Sequence, residues 1–241
     1  MSKVYIFDLD DTIVECQVNY FVVLSNFIAK MVDVFGRMSP HPKDIAHKQH
    51  EIDVVLMKEP FSKERFPKSL VKTYQYFHRE IYGNENYDKK IEEEIFAIGD
   101  SVYKVIPKPL PNAIETLAKL KEHGKILCLY TLGDKDVQMY KILNNRLYEI
   151  FDPDKIFIRK KKTVEELEEI YNYIRNQYGI VDKSEFTMVG DNLKTDIIPA
   201  LEFGINAIKV RSRNPFSAIE DEFDYKEVDN ISEIIWNMNP D

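Results

Sequence analysis

Cysteine is scarce in this 241-residue sequence, which has no arrangement typical of a zinc site or a disulfide framework. Cys16 and Cys128 are the only two cysteines, they lie far apart, and Cys128 sits within an apolar run. The sequence also lacks a basic segment followed by a signal-type apolar stretch, and we find no uninterrupted apolar run long enough to span a bilayer. These absences predict a soluble cytoplasmic protein with no membrane partner.

An excess of basic residues is also missing. Lysine and arginine number 33 against 41 aspartates and glutamates, which gives a net charge of −8 and an isoelectric point near 5.3. This balance argues against nucleic acid as a partner, although one metal ion or a local basic cluster could still bind a phosphate group. The GxGxxG and GxxxxGK[ST] patterns are absent, so dinucleotide and P-loop nucleotide sites have no support.

Beyond residue 111 the chain alternates between helix and strand patterns, and one further strand pattern lies near its start. Apolar runs at residues 3–7, 125–130, 156–158, 186–189 and 206–210 predict strands, and the segments at 112–123, 134–143, 163–178 and 193–203 have helical periodicity. Repeated strand–helix alternation implies right-handed crossovers and a parallel sheet covered on both faces. We therefore predict an α/β fold with a doubly wound, Rossmann-like parallel sheet.

The stretch between the first strand and this alternating region is different. It shows helical spacing of apolar residues, enough for three to five helices, and no strong strand pattern. The proline-rich segment 106–111 then stops the last helix and stiffens the return of the chain. The sequence thus predicts a discontinuous α/β core, residues 1–15 and 106–241, and an inserted helical domain, residues 16–105.

Polar clusters follow four of the predicted strands, and the carboxyl ends of parallel strands meet at one edge of a sheet. Several carboxylates would lie close together at such an edge and repel one another. A hard divalent cation such as Mg²⁺ would relieve this repulsion. A hydroxyl, backbone amides and a lysine beside that ion would suit a phosphate group. Each cluster alone is more often a turn or a solvated charge, so the argument depends on finding all four in order. In chain order, the clusters are Asp8 and Asp10, then Thr131, Leu132 and Gly133, then Lys160, Lys161 and Lys162, then Asp191 and Asp196.

The ordered motifs DLDDT, YTLGD, a lysine before a helix, and VGDNLKTD resemble those of the haloacid dehalogenase (HAD) superfamily. The resemblance covers the whole chain, and the helical insertion matches a cap domain placed after the first motif. It implies that Asp8 is a nucleophile that forms an aspartyl-phosphate and that Asp10 is the general acid and base. The carboxylate of Asp10 also favours phosphoryl chemistry, because members that dehalogenate lack an aspartate there and need no metal.

The resemblance further implies a phosphate site and a metal site. Thr131, the backbone amides of Leu132 and Gly133, and a lysine would bind the phosphoryl group. Mg²⁺ would be held by the carboxylates of Asp8 and Asp191 and by the backbone carbonyl of Asp10, and Asp196 would support these ligands.

Among the three lysines we favour Lys162. Residues 163–166 have a capping-box sequence, which predicts that a helix begins directly after this residue. Lys160 shares the parity of Lys162 along an extended chain and remains the competitor.

The function that these features predict is a Mg²⁺-dependent hydrolase of a small phosphate monoester. A phosphomutase of the same superfamily shares every core residue and remains the main alternative. A phosphoacceptor module and a non-catalytic protein on the same fold are less favoured, because the nucleophile candidate follows the first strand and no acidic residue of the motifs is missing. The sequence predicts neither the identity of the ester nor the oligomeric state.

Overall fold

The computed structural model describes residues 3–59, 61–211 and 224–236, and within these ranges six parallel strands form one sheet. The strand order is β3-β2-β1-β4-β5-β6, with β1 in the middle of the sheet. The strands are β1 (Val4–Phe7), β2 (Ile126–Leu132), β3 (Ile156–Arg159), β4 (Phe186–Gly190), β5 (Asn206–Val210) and β6 (Lys226–Val228).

Alternate residues of the strands contribute to two separate hydrophobic cores, one on each face of the sheet. Tyr5 and Phe7 of β1 pack on one face, together with α5 (Ala113–Glu122), α6 (Lys135–Asn144) and α9 (Glu233–Trp236). Val4 and Ile6 pack on the other face, together with α7 (Val164–Tyr178) and α8 (Ile198–Phe203). This is the two-residue period of a strand buried on both sides, and the prediction of a doubly wound parallel sheet is confirmed.

Two details of the sheet differ from the sequence-based prediction. Strand β2 does not end at residue 130, because Thr131 and Leu132 continue the pairing with Ile158 and Arg159 of β3. Strand β6 was not predicted. It has only three residues, of which Val228 alone is buried, so its sequence carries almost no apolar alternation.

The chain divides into two compact units, one made of Met1–Gln17 and Pro107–Asp241 and the other of Val18–Ile106. The second unit is helical where it is described and has a hydrophobic core of its own. Its core residues recur four apart along two helices: Val23, Phe27, Met31 and Phe35 on one, and Phe66, Leu70 and Tyr74 on the other. The helices are α1 (Gln17–Phe35), α2 (Pro42–Leu56), α3 (Arg65–Tyr82) and α4 (Lys89–Asp100).

The turn after β1 fixes the start of α1. Asp11 adopts the left-handed conformation, with φ of 58°, which aspartate tolerates better than most residues. Its side chain accepts hydrogen bonds from the backbone N–H groups of Cys16 and Gln17, both at 2.9 Å. The second aspartate of the DD pair therefore has a structural role, because it satisfies backbone donors at a helix N-terminus.

The segment Gln17–Met38 is long and apolar enough to cross a membrane by length and composition, with a mean hydropathy of 1.4 in an 18-residue window. The segment is not an uninterrupted apolar run, because polar and charged residues such as Lys30 interrupt it. About a fifth of that window is buried, 22%, and its buried residues Val23, Phe27 and Met31 belong to the core of the helical unit. Length and composition alone do not distinguish such a core helix from a membrane span.

Gly99 gives a test of how α3 and α4 pack. A Cβ atom added at Gly99 would lie 2.6 Å from the Cα atom of Pro67, so the two helix backbones meet there. Replacing glycine by alanine within a helix normally stabilises it by about 1 kcal/mol. We expect the opposite sign for Gly99→Ala, a loss of about 1–3 kcal/mol through overpacking. Urea unfolding measures it, with the exposed Glu93→Ala on the same helix as control; a stabilised Gly99→Ala protein would contradict this packing.

Candidate functional site

Strand register brings the predicted clusters to one edge of the sheet. Phe7, the last residue of β1, pairs with Leu129 of β2 on one side and with Val189 of β4 on the other. Because these three strands are in register, the residues just beyond them meet at the carboxyl edge of the sheet. Asp8, Thr131 and Asp191 are all buried there.

A buried lysine joins two of the aspartates. The Nζ atom of Lys162 lies 2.5 Å from an oxygen of Asp8 and 2.6 Å from an oxygen of Asp196. Its side chain is only 2% exposed, and its ammonium group also lies 5.0 Å from the centre of the Tyr130 ring. Burial lowers the pKa of Lys162, but the two carboxylates outweigh this and raise it overall, so the lysine remains charged.

Three carboxylates share this region with a single lysine. Oxygen atoms of Asp8, Asp191 and Asp196 lie within 4.8 Å of one another, and all three residues are buried. Burial raises the pKa of Asp8 to about 7, in spite of Lys162, and burial together with the neighbouring carboxylates raises the pKa of Asp191 to about 9. The ionised cluster thus lacks positive charge, and its all-oxygen donor set fits a hard divalent cation. The residues present can hold such an ion.

Gly190 and Asn192 shape the loop that carries Asp191 and Asp196. A Cβ atom at Gly190 would lie 2.5 Å from the Cβ and Cγ atoms of Asp196, so only glycine leaves space for that side chain. Asp196 also accepts a hydrogen bond from the backbone N–H of Asn192 at 3.0 Å. The side chain of Asn192 in turn caps the following helical turn, Leu193–Ile197. Packing of Asp196 therefore explains Gly190, and capping of the helical turn that carries Asp196 explains Asn192.

The carboxylate of Asp10 turns away from these three and contacts α6. Lys141 donates to both of its oxygens, at 2.8 and 2.7 Å, and Gln138 donates to one of them at 3.1 Å. The Cys16 thiol donates to the other at 3.0 Å. Burial raises the pKa of Asp10, but Lys141 and these hydrogen bonds outweigh it, so the pKa lies below its usual range.

The predicted phosphate-binding residues lie at the end of β2. Thr131 is buried, and its Oγ1 accepts a hydrogen bond from the side-chain amide of Gln138 at 2.8 Å. The backbone N–H of Gly133 donates to the carbonyl of Arg159 at 2.8 Å, so this amide already has a partner. Leu132 pairs with Arg159 in the sheet. Of the predicted group, the Thr131 hydroxyl and the Leu132 amide remain the candidates for binding a ligand.

The other two lysines of the run do not join the cluster of Asp8, Asp191 and Asp196. Lys160 forms an ion pair with Asp134 and is 52% exposed, and Lys161 is exposed. Thr163 caps α7 by accepting from the N–H of Glu166 at 3.4 Å, so the predicted helix start is confirmed.

Sequence reasoning missed Gln138 and Lys141. Gln138 is 1% exposed and lies among apolar residues on the buried side of α6. A polar residue on an apolar helix face was the available signal, and Lys141 follows it by three positions, on the same face.

Comparison with known proteins places this geometry in a family. The family described as haloacid dehalogenase-like hydrolase matches residues 2–204. Among curated proteins, the chain is similar to the glyceraldehyde 3-phosphate phosphatase of Methanocaldococcus jannaschii. The two are 23% identical over 236 residues, which cover 98% of this chain and 96% of that protein.

Solved structures show the same fold. A haloacid dehalogenase-like family hydrolase from Xanthomonas campestris has a TM-score of 0.72 at 18% identity, covering 98% of this chain and 94% of that one. A HAD hydrolase from Bacillus subtilis bound to magnesium has a TM-score of 0.64 at 17% identity, covering 99% of each chain. A HAD phosphatase from Thermococcus onnurineus has a TM-score of 0.58 at 20% identity, covering 99% and 98%.

Lys162 gives a test of the charge balance in the site. Lys162→Met removes the cation that contacts Asp8 and Asp196 and leaves the buried carboxylates without it. We expect a loss of about 3–5 kcal/mol in the free energy of unfolding at neutral pH. The matched control is Lys160→Met, which removes an exposed lysine of the same run and should change stability by less than about 0.5 kcal/mol. Urea unfolding measures both variants. Equal losses in the free energy of unfolding would show that the buried ion pairs of Lys162 do not stabilise the fold more than an exposed lysine does.

Proposed function

The chain belongs to the haloacid dehalogenase-like hydrolases, and on this premise we propose that it is a Mg²⁺-dependent phosphatase acting on a small phosphate monoester. The observation that carries the proposal is the arrangement around Asp8. This residue lies at the carboxyl edge of the sheet, beside Lys162 and within a cluster of carboxylates that lacks positive charge.

Asp8 is the nucleophile in this proposal. An oxygen of its carboxylate attacks phosphorus, and the bond from phosphorus to the ester oxygen breaks. Asp10, which Lys141 keeps ionised before substrate binds, takes up a proton once the negatively charged ester lies beside it and gives that proton to the departing alcohol. A water molecule then attacks the aspartyl-phosphate, Asp10 takes up a proton from that water, and inorganic phosphate leaves. Asp8 and Asp10 return to their starting states.

The remaining residues bind the phosphoryl group and balance its charge. Lys162 sits against Asp8 and would neutralise the nucleophile and the phosphoryl oxygens, and the Thr131 hydroxyl and Leu132 amide would donate to those oxygens. Mg²⁺ would be held by the carboxylates of Asp8 and Asp191 and by the backbone carbonyl of Asp10, with Asp196 in support. When bound, it would supply positive charge for the phosphoryl group.

The substrate is expected to be small. The similar protein from Methanocaldococcus jannaschii is a phosphatase of glyceraldehyde 3-phosphate, which makes short sugar and hydroxyacid phosphates the first compounds to test. We further propose that the helical unit Val18–Ile106 acts as the cap that selects the ester, and that the protein works in the cytoplasm, where its two free, buried cysteines would stay reduced.

A screen of phosphate monoesters with Mg²⁺ tests the activity, with release of inorganic phosphate as readout. The screen should include glyceraldehyde 3-phosphate and phosphoglycolate. Transfer of phosphate between sugar positions, followed in the same samples, separates a phosphatase from a phosphomutase. Activity on no ester at all would refute the proposal.

Metal dependence is the next prediction. EDTA should abolish turnover and Mg²⁺ should restore it, whereas Ca²⁺ should restore it poorly because it relaxes the octahedral geometry. A second readout does not need activity: Mg²⁺ should raise the melting temperature of the wild type, since a ligand that binds only the folded state stabilises it. Asp191→Asn should lose most of that shift, and Asp33→Asn, an exposed aspartate on α1, should keep it. Full activity in EDTA would exclude the metal.

Asp8→Asn tests the covalent step. The variant should fold, because asparagine has nearly the same shape, and should lose turnover by about 10⁴-fold or more, as expected when a nucleophile is removed. Intact-protein mass spectrometry after an acid quench should detect a phosphorylated wild-type protein and no phosphorylated Asp8→Asn protein. Near-normal turnover by the variant would rule out an aspartyl-phosphate on Asp8.

A further inference from the structure

Two side chains of α6 that the proposed mechanism does not use hold Asp10 in place. Asp10 follows the strand end on a short turn, and its side chain is 32% exposed. Nevertheless both of its carboxylate oxygens are hydrogen-bonded, because Lys141 contacts the two of them, at 2.8 and 2.7 Å, and Gln138 contacts one at 3.1 Å. These contacts hold the Asp10 side chain in one orientation.

Gln138 links Asp10 to the phosphate-binding end of β2. Its side-chain nitrogen lies 3.1 Å from an Asp10 oxygen, 2.8 Å from Thr131 Oγ1 and 2.7 Å from the Leu132 carbonyl. A carboxylate and a carbonyl only accept hydrogen bonds, so the nitrogen of the amide must face them. The two hydrogens of the amide are shared among these three acceptors. Because an amide nitrogen accepts no hydrogen bond, the hydrogen of the Thr131 hydroxyl must donate elsewhere, and phosphoryl oxygens are acceptors.

The backbone next to Thr131 is shaped around Gln138. A Cβ atom at Gly133 would lie 2.8 Å from Gln138 Cγ and 2.9 Å from both its Cδ and its nitrogen. Gly133 does not have a positive φ. Its glycine is therefore explained by the space that the Gln138 side chain occupies rather than by backbone conformation.

We propose that Gln138 and Lys141 are positioning residues for the reaction: Lys141 fixes the Asp10 carboxylate for proton transfer, and Gln138 fixes both Asp10 and the Thr131 hydroxyl. This inference rests on the proposed phosphatase function and adds two residues to it. A purely structural ion pair between Lys141 and Asp10 is the competing explanation. The two explanations differ in how the loss of Lys141 depends on the leaving group and on Asp10.

The leaving group separates them because only a poor one needs a proton. Phenyl phosphate and p-nitrophenyl phosphate are similar in size, but phenolate leaves far less readily than p-nitrophenolate. The ratio kcat/KM reports the steps up to departure of the alcohol. We expect Lys141→Met to lower kcat/KM for phenyl phosphate on the order of 10- to 100-fold, which is part of the roughly 10²- to 10⁴-fold that general acid–base catalysis contributes. For p-nitrophenyl phosphate we expect a loss of less than about 3-fold.

Controls on the same helix and the same carboxylate complete the experiment. Lys135→Met, which removes an exposed lysine of α6, should behave as wild type. Asp10→Asn should show the same leaving-group pattern as Lys141→Met, and the double variant should be no more than about 3-fold worse than Asp10→Asn, because residues acting as a unit are not additive. Gln138→Leu should lower kcat/KM for both esters and weaken inhibition by inorganic phosphate, because it also removes the hydrogen bond to the Thr131 hydroxyl.

The outcomes are distinct. Equal losses of Lys141→Met on the two esters, or additive losses in the double variant, would overturn the positioning role while leaving the phosphatase intact. Wild-type protein that hydrolyses neither ester in Mg²⁺ and no ester of the screen would overturn the proposed function itself. If Lys141→Met does not fold, Lys141→Gln keeps a donor without the charge and replaces it, with melting temperatures recorded for every variant.

Discussion

The ion pairs of Lys162 constrain the rest of the catalytic unit. A lysine that is 2% exposed is costly to bury, and here two carboxylates compensate it. The lysine and the two carboxylates come from distant parts of the chain: Asp8 follows β1, Lys162 precedes α7, and Asp196 lies in the turn before α8. The three meet only if β1, β3 and β4 end at the same edge, so sheet register and the starts of two helices are tied to one cluster of charges.

Space is the second constraint, and three glycines satisfy it. Gly133, Gly190 and Gly99 do not have positive φ angles, unlike the glycines that end α3, α7 and α8. Each instead lies against a neighbour that an added Cβ would meet at less than 3 Å: Gln138, Asp196 and Pro67, respectively. Two of these neighbours belong to the site. The close approach of backbone to side chain thus brings Asp196 to Lys162 and Gln138 to Thr131, and a methyl group at either glycine would displace them.

The sequence was most informative where the signal is local. Short apolar runs predicted five of the six described strands, and the capping box predicted that α7 starts after Thr163. The contact between Lys141 and Asp10 joins residues 131 positions apart, and no local pattern encodes such a pairing. Helical spacing predicts only which face of α6 is buried. The choice of Asp10 as partner comes from the crossover between β2 and β3, which sets the position of α6 relative to the end of the sheet where Asp10 lies. Strand β6 was missed because two of its three residues are exposed.

Asp8 and Asp10 lie only two positions apart, but each contacts a different lysine and has different surroundings. Asp8 shares Lys162 with Asp196 in a cluster dominated by carboxylates, and burial raises its pKa to about 7. Asp10 has Lys141 and two further donors, and its pKa is lowered. A divalent cation among Asp8, Asp191 and Asp196 would favour the ionised form of Asp8, because a nearby positive charge lowers a carboxyl pKa. The Asp10 carboxylate points to α6 instead, where Lys141 and the hydrogen bonds favour its ionised form against the effect of burial. The fold can therefore control the ionisation of the two carboxylates separately: that of Asp8 through a bound metal ion, and that of Asp10 through the side chains of α6.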